Sequence, residues 1–546
     1  MGVSKMQNDR EENKKKTVTA RLESFKIKNG QIMITFSLEM VGCQVKSISL
    51  ILRSQVKEKR YDFVFTTKKR GGKTLVRAQL PLKTVDWEQF YWDIRGVVQN
   101  DGGLLDLRIK NRSKFQKIWM LATGRQRFLQ GKRYVVYPYV TNSNDPAIQY
   151  RIRTKQDNWQ FVLKEYFVLL IYYLVRPYWL AKKIWLVYEK YSITAQDNSY
   201  YFFKYCQEKL SDDEKKNIYY VIDKKADDYQ YVKQYGRKVI QFLSFKHMLY
   251  LKAAQLLISS DTKAHAYAWH SPNTIYRTLI QRNRNVFLQH GVIYYKQCHK
   301  GLKKRGTNNC RLFIVSSDIE KKIVKKFFGY KNSEIAVTGL ARWDVLHDTS
   351  VPEEKMILVM PTWRSWLEEV TEDRFKESEY YRNYAVFLNN EQLHCFLEEN
   401  QIKMVFYIHP KFREYMGAFA TSSCQIELVE FGKRPLNELI MKCNMMITDY
   451  SSACWDVYYQ GKPVLFYLFD FDLYNRVQGS YVDMRTQAFG DSAESLEELL
   501  ELMKAYEKNG FNEKKQYADM REELLPYRDN LNCERIYTVL KEKFSK

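Results

Sequence analysis

From residue 18 to residue 154 the chain alternates apolar and polar positions in short runs, the period of strands that bury one face. The run Ile27-Lys-Asn-Gly-Gln-Ile-Met-Ile predicts a hairpin, since Asn29-Gly30 tolerates the positive φ angles of a type I′ turn. Residues 61–67, 74–82, 104–109 and 134–140 repeat the alternation. Together they predict a small N-terminal β-sandwich over 18–154, behind a polar tail over 1–17. Nothing catalytic stands out in it.

Past residue 155 the pattern changes. Residues 159–188 mix Phe161, Leu163, Phe167, Leu170 and Leu174 with Tyr172, Tyr173, Trp179 and Trp185, flanked by Arg176, Lys182 and Lys183. An apolar stripe with aromatic and basic rims suits a helix lying in a membrane interface, although packing on the protein's own core is about as good a reading. Uninterrupted apolar runs then alternate with helical segments. They cover 184–188, 218–222, 238–242, 255–259, 286–289 and 312–316, then 356–360, 403–408, 444–448 and 463–467. Such runs are strands of parallel sheets covered on both faces. The predicted fold class is α/β: two doubly wound Rossmann-like domains, over 155–345 and 346–546, with the closing helices in the second. Ligands of such sheets bind beyond the carboxyl ends of the strands.

Composition narrows the partners. A 45% hydrophobic chain of 546 residues with 41 Tyr is a packed, multidomain protein. The nine Cys form no CxxC pair, which argues against a disulfide framework or zinc site and fits a reducing cytosol. The ten uncharged residues of 166–175 are half of a membrane span, which needs ~20. The opening residues read as neither a signal peptide nor, with Met6 at the position that wants Ser or Thr, a myristoylation signal. A net charge of +25 calls for an anionic partner. Without a nucleic-acid module in the sequence, an anionic membrane surface is the better expectation and nucleic acid is not expected.

The chemistry should therefore lie at strand ends. His290-Gly291 follows one strand, Arg342 sits in Thr338-Gly-Leu-Ala-Arg-Trp-Asp, Trp363-Arg364 follows Pro361-Thr, and Tyr407-Ile408-His409 closes another strand. Ile447-Thr-Asp-Tyr-Ser-Ser brings Ser451 and Ser452 to a strand-to-helix turn, with Asp456 one turn later. Singly these read as structural: Ser-Ser at a helix start is first an N-cap, and Asp449 is as much a capping residue as a functional one. As a constellation they suit an activated phosphate donor, because Arg, His and helix-start amides neutralise phosphate without a metal. No DxD or His/Asp cluster calls for a metal.

These blocks, in this order, resemble the signature of the CDP-glycerol glycerophosphotransferases, which include the teichoic-acid primases and polymerases of Gram-positive bacteria. Ala195-Gln-Asp-Asn, Phe202-Phe203 and Ser480-Tyr-Val-Asp resemble the same family's outer blocks, so the likeness covers roughly 184–489. The resemblance implies a GT-B-like fold, no cofactor or metal, and a CDP-linked polyol donor. It implies His290 as the general base toward an acceptor hydroxyl, with CMP leaving and His409 as a second catalytic residue. The segment His290, Gly291, Val292, Ile293 and Tyr294 would line the donor phosphates. Arg342, Trp363, Arg364, Tyr407, Ile408 and His409 would meet the pyrophosphate, Ser451 and Ser452 a phosphate, and Asp456 the glycerol end or nearby backbone. Ala341 stands where many members have Pro, and Ser365-Trp366-Leu replaces an acidic pair of some polymerases. CDP-ribitol therefore remains the alternative donor. A nucleotide-sugar glycosyltransferase and a non-enzymatic basic module are the readings from other classes. The expected setting is peripheral, at the cytoplasmic face of the cell membrane, with a lipid-linked anionic polymer as acceptor. Homo-oligomerisation is left open.

Overall fold

The computed structural model describes residues 17–39, 43–54, 58–70, 72–111, 128–130, 133–141, 143–268, 274–368, 370–430 and 432–544; nearly all of the expected tail lies outside these. The described residues form two compact units: one reaches Ile171 and takes in 274–282, the other comprises 172–268 and 283–544. The domain boundaries expected at 154 and 345 do not coincide with this division.

In the first unit, Thr17–Lys28 and Gln31–Leu38 form the hairpin. Its turn has positive φ at both Asn29 (51°) and Gly30 (69°), as a type I′ turn requires. The strands join one hydrogen-bonded network of eleven strands among the described residues. Tyr91–Asn100 ties the network together, since it pairs with Gln44–Leu52, Gly103–Lys110 and Pro146–Ile152. Alternation along the strands sends Ala20, Leu22, Ile32, Ile34, Trp92 and Ile94 into one core.

The second unit holds two parallel sheets. In the first, strands run in spatial order Val239–Gln241, Ile218–Ile222, Trp185–Tyr188, Leu256–Ser259, Asn285–Phe287, Leu312–Val315, Ile335–Val337. In the second the order is Ile426–Val429, Lys403–Tyr407, Met356–Met360, Met445–Thr448, Val464–Tyr467, Ser492–Ala493. Both are doubly wound, and strand order reverses beside Trp185–Tyr188 in one and Met356–Met360 in the other. The central strands are buried along their length, which is why they read as unbroken apolar runs.

The helix Asn532–Phe544 departs from expectation. Its Cys533, Ile536, Tyr537, Leu540 and Phe544 pack with Val187, Phe203 and Ile258, so it completes the core of the first parallel sheet rather than the second. The chain thus crosses back, and one unit contains both sheets.

The predicted amphipathic stretch forms the helices Trp159–Leu174 and Arg176–Ala181. Trp159, Leu163, Phe167, Leu170 and Leu174 are each more than half exposed on the first, at i, i+4, i+8 and related positions of one face. No helix among the described residues is long and apolar enough to cross a membrane.

Candidate active site

Residues at the carboxyl end of the first parallel sheet converge on Asp197. The loop after Trp185–Tyr188 carries Glu189, whose buried carboxylate accepts from the amides of Gln196 (3.1 Å), Asp197 (2.9 Å) and Tyr200 (2.9 Å). Burial, then the nearby Asp197 charge, pushes the Glu189 pKa up. Asp197 is also the N-cap of helix Asn198–Lys209, accepting from Asn198 N. That double anchoring fixes its carboxylate, and the two oxygens split their remaining work. Oδ2 lies 2.7 Å from His290 Nδ1, and Oδ1 accepts from an Arg342 guanidinium N–H at 2.9 Å.

His290 stands at a turn built for exposure. Gln289 before it adopts φ 66°, and Gln289 is held by Asn198 Nδ2 on its carbonyl and by its own amide on the Ile314 carbonyl. The His290 side chain is 73% exposed. The Asp197 charge raises the His290 pKa to about 8. Burial raises Asp197 in turn, but His290 and Arg342 outweigh it and hold that carboxyl below the usual range. A β-carbon on Gly291 would lie 2.8 Å from Ser452 Cβ, so only glycine lets the turn approach the Ser451-Ser452 segment this closely.

Arg342 is a clamp. Its Nε donates to both Asp456 oxygens (3.1 and 3.0 Å), it also donates to the His290 carbonyl (2.8 Å), and its own amide donates to Asn198 Oδ1 (2.9 Å). Trp343 Nε1 donates to Asp456 at 2.6 Å. The Arg342 and Asp456 side chains are only 12% and 7% exposed. The pair bridges the two parallel-sheet regions, and each charge has a protein partner.

Arg364 is likewise internal. Its side chain is fully buried, with Asp470 at 2.7 and 3.0 Å, Asp449 at 2.9 Å and the Thr362 carbonyl at 2.6 Å. Tyr450 and Tyr380 lie over the guanidinium, both at 5.0 Å. These groups form a charge cluster at the strand-order reversal of the second sheet. Val292, Ile293 and Tyr294 are also buried rather than lining an open cleft. The Ile293 amide donates to Glu320 at 2.6 Å, and the Tyr294 carbonyl accepts from Tyr481 N and Ser480 Oγ.

A second group gathers at the end of Lys403–Tyr407. His409, partly exposed, has its ring centroid 6.1 Å from that of Trp363, and Lys296 Nζ lies 3.9 Å above Trp363. Lys296 thus extends the His290 segment toward His409. Tyr407 and Ile408 are buried beneath, the Tyr407 hydroxyl accepting weakly from Gly432 N at 3.4 Å. Ser451 and Ser452 are partly exposed at the start of helix Cys454–Tyr459. Among the described residues no group of three or more His, Cys, Asp or Glu side chains is placed to hold a metal.

Asp197, Glu189 and Lys296 were not singled out from the sequence as site residues. Asp197 stands in the Ala195-Gln-Asp-Asn block, where it reads as a helix cap, and it is one. Its position just past a strand beside the order reversal is the signal that distinguishes it.

The arrangement can be set beside known proteins. Residues 172–542, more than half of the chain, match the model of the CDP-Glycerol:Poly(glycerophosphate) glycerophosphotransferase family. The minor teichoic acid biosynthesis protein GgaB of Bacillus subtilis is 30% identical over 363 residues, 64% of this chain and 38% of that protein. The teichoic acid poly(ribitol-phosphate) polymerase of Bacillus spizizenii is 27% identical over 207 residues, 35% of this chain and 31% of that protein. The chain therefore spans well under half the length of these relatives. Among solved structures, the wall teichoic acid polymerase TagF aligns with 15% identity and a TM-score of 0.49, over 67% of this chain and 90% of that one. The chain belongs to the CDP-glycerol:poly(glycerophosphate) glycerophosphotransferase family.

Proposed function

We propose that the chain transfers a polyol phosphate from a CDP-linked donor to a hydroxyl of an anionic polymer acceptor, with His290 as general base. The observation that carries this is the His290–Asp197 pair at 2.7 Å on an exposed turn. With Nδ1–H donated to Asp197, the imidazole keeps Nε2 free of that partner and turned to the reaction. Nε2 takes the acceptor's hydroxyl proton as the oxygen bonds to the donor's distal phosphorus. The bond from that phosphorus to the bridging oxygen breaks, and CMP leaves with the electron pair. The proton on His290 then passes to water.

Lys296 and His409 offer positive charge and N–H groups to the pyrophosphate, and Ser451 and Ser452 offer hydroxyls to the same phosphates. Arg342, Asp456 and Arg364 act one step back, as the clamps that hold the reacting groups in register. The exposed face of Trp159–Leu174 suits contact with a membrane interface, where a lipid-linked acceptor is presented. Relatives named for ribitol phosphate and for glycerol phosphate match at similar levels, so both donors enter the test.

Incubation with CDP-glycerol and CDP-ribitol in parallel, plus a polymer-primed lipid acceptor, should release CMP from one of them. His290→Ala should lower that release by ~10²–10⁴-fold, the usual range for loss of a general base. Turnover unchanged in His290→Ala, or release from neither donor, overturns the proposal.

A further inference from the structure

An open pocket of about 510 Å³ lies along the edge strand Val239–Gln241, from Gly236 and Arg237 before it to Ser244 and Lys246 after it, with Lys224 just past Ile218–Ile222 of the same sheet that carries His290. Lys224, Arg237 and Lys246 line it, together with Gln241 and Ser244. None of the three cations has a carboxylate within ion-pair distance among the described residues. The acid on this rim, Asp223, accepts instead from Gln241 Nε2 and the Lys225 amide. Burial, and then Lys182, Arg237 and Lys224, lower the Lys246 pKa. Like charges are thus concentrated here without a counter-charge of the protein's own.

The cations continue outward as a ladder with aromatic rings. Lys246 lies 5.3 Å from the centroids of both Tyr219 and Tyr250, Lys238 lies 5.4 Å from Tyr219, and Lys182 contacts Tyr250, Tyr178 and Trp179 at 6.0, 4.7 and 5.3 Å. Ring faces hold the ammonium groups apart and extended. The pocket is also tied to the catalytic loop. Asp228, in the loop that follows Lys224, accepts from the Ala195 amide at 2.9 Å and from Gln196 Nε2 at 2.8 Å, directly before Asp197.

We propose that this pocket is an anion subsite for the acceptor: it takes phosphodiesters of the polymer already made, several repeats behind the hydroxyl presented to His290. The proposal rests on the transfer reaction proposed above. Three to four strand positions separate the strand that precedes His290 from the two that carry the pocket. At ~4.8 Å per strand that is ~14–19 Å, a distance that a flexible polyol phosphate chain crosses in a few repeats. A repeating polyanion fits a row of unpaired cations better than a single phosphate does, because each repeat releases bound counterions.

The test uses the triple variant Lys224→Ala/Arg237→Ala/Lys246→Ala in the full chain. Its KM for a long soluble poly(glycerol phosphate) acceptor should rise roughly tenfold or more, with a shallower salt dependence, by about 0.7 in log–log slope per lost contact. Turnover on an acceptor analogue with one polyol phosphate, and the donor KM, should stay as in the parent. Equal losses on long and short acceptors, or no loss on either, overturn the proposal. Direct titration with poly(glycerol phosphate) reads the subsite even if neither CDP-polyol is turned over, so failure of the reaction and failure of the subsite are told apart. Flotation with vesicles containing anionic phospholipid should be unchanged in the variant. Loss of flotation with polymer binding intact would assign the pocket to lipid headgroups and overturn it as well.

Discussion

His290 Nδ1 and Asp197 Oδ2 are 2.7 Å apart, and the opposite oxygen of the same carboxylate is held by Arg342 at 2.9 Å. One carboxylate therefore sets the orientation, the tautomer and the proton affinity of the proposed base.

The pH dependence follows from this pair. His290 titrates at about 8, above the ordinary value near ~6.5, so at neutral pH it is mostly protonated and cannot accept a proton. The rate should climb with pH and level off above about 8. In Asp197→Asn the acidic limb should move down toward ~6.5 while kcat drops by ~10²–10⁴-fold. A pH–rate profile of both proteins measures this; an unmoved limb refutes the coupling. Stability runs the other way. A histidine whose folded-state pKa is raised stabilises the fold fully below ~6.5 and loses that contribution as pH rises through about 8. The thermal midpoint of the parent minus that of Asp197→Asn should therefore shrink across that window.

Gly291 and Ser452 form a second testable pair. Gly291→Ala puts a β-carbon against the Ser452 side chain, forcing the His290 turn away from the Ser451-Ser452 segment. Activity should fall by ~10²-fold, the scale of a 1 Å misplacement, with little change in thermal midpoint. Adding Ser452→Gly removes the obstructing atoms together with one phosphate-facing hydroxyl, so the double variant should be faster than Gly291→Ala and no faster than Ser452→Gly alone. A double variant no faster than Gly291→Ala would show that the glycine is needed for another reason.

Arg364→Met should be a stability variant before it is an activity variant. It leaves Asp449 and Asp470 facing each other in the core without their shared cation. Loss of one partner from a buried ionic cluster costs ~3–5 kcal/mol, visible in denaturant unfolding of the variant. A variant of parental stability with a raised donor KM would instead make Arg364 a ligand of the donor.

For the membrane contact, Leu163→Glu/Phe167→Glu/Leu170→Glu adds charge to exposed positions, each 54% accessible, and should leave folding intact. Flotation with anionic vesicles should be lost, and turnover of a soluble acceptor retained. Flotation like that of the parent would exclude this face from the interface.

The legible part of this molecule was its buried strands. Runs such as Met356–Met360 and Met445–Thr448 are apolar on both faces, so the sequence marks them whatever their partners. Ile335–Val337 and Ile426–Val429 escaped because they are short edge strands, one of three residues and one interrupted by Glu427. The blocks at strand ends were visible too, but their division of labour was not. Arg342 and Arg364 look alike in sequence, as arginines past a strand. What separates them from a substrate contact is the pairing with Asp456, Asp449 and Asp470, residues 85 or more positions away along the chain. Asp197 was hidden for the opposite reason. A helix cap is the default reading of an aspartate before a helix, and the cap uses only part of what this carboxylate does.

The helix Asn532–Phe544, docked on the first parallel sheet, has a consequence for biosynthesis. Lys541 reaches Glu214, 327 positions away along the chain, and the Phe544 carbonyl accepts from Gln255, 289 positions away. While the ribosome is still making the second sheet, the core around Val187 and Ile258 is covered by helix Asn198–Lys209 but lacks Ile536 and Leu540. The core of the first sheet can therefore close only after residues 532–544 have been made, later than every strand of the second.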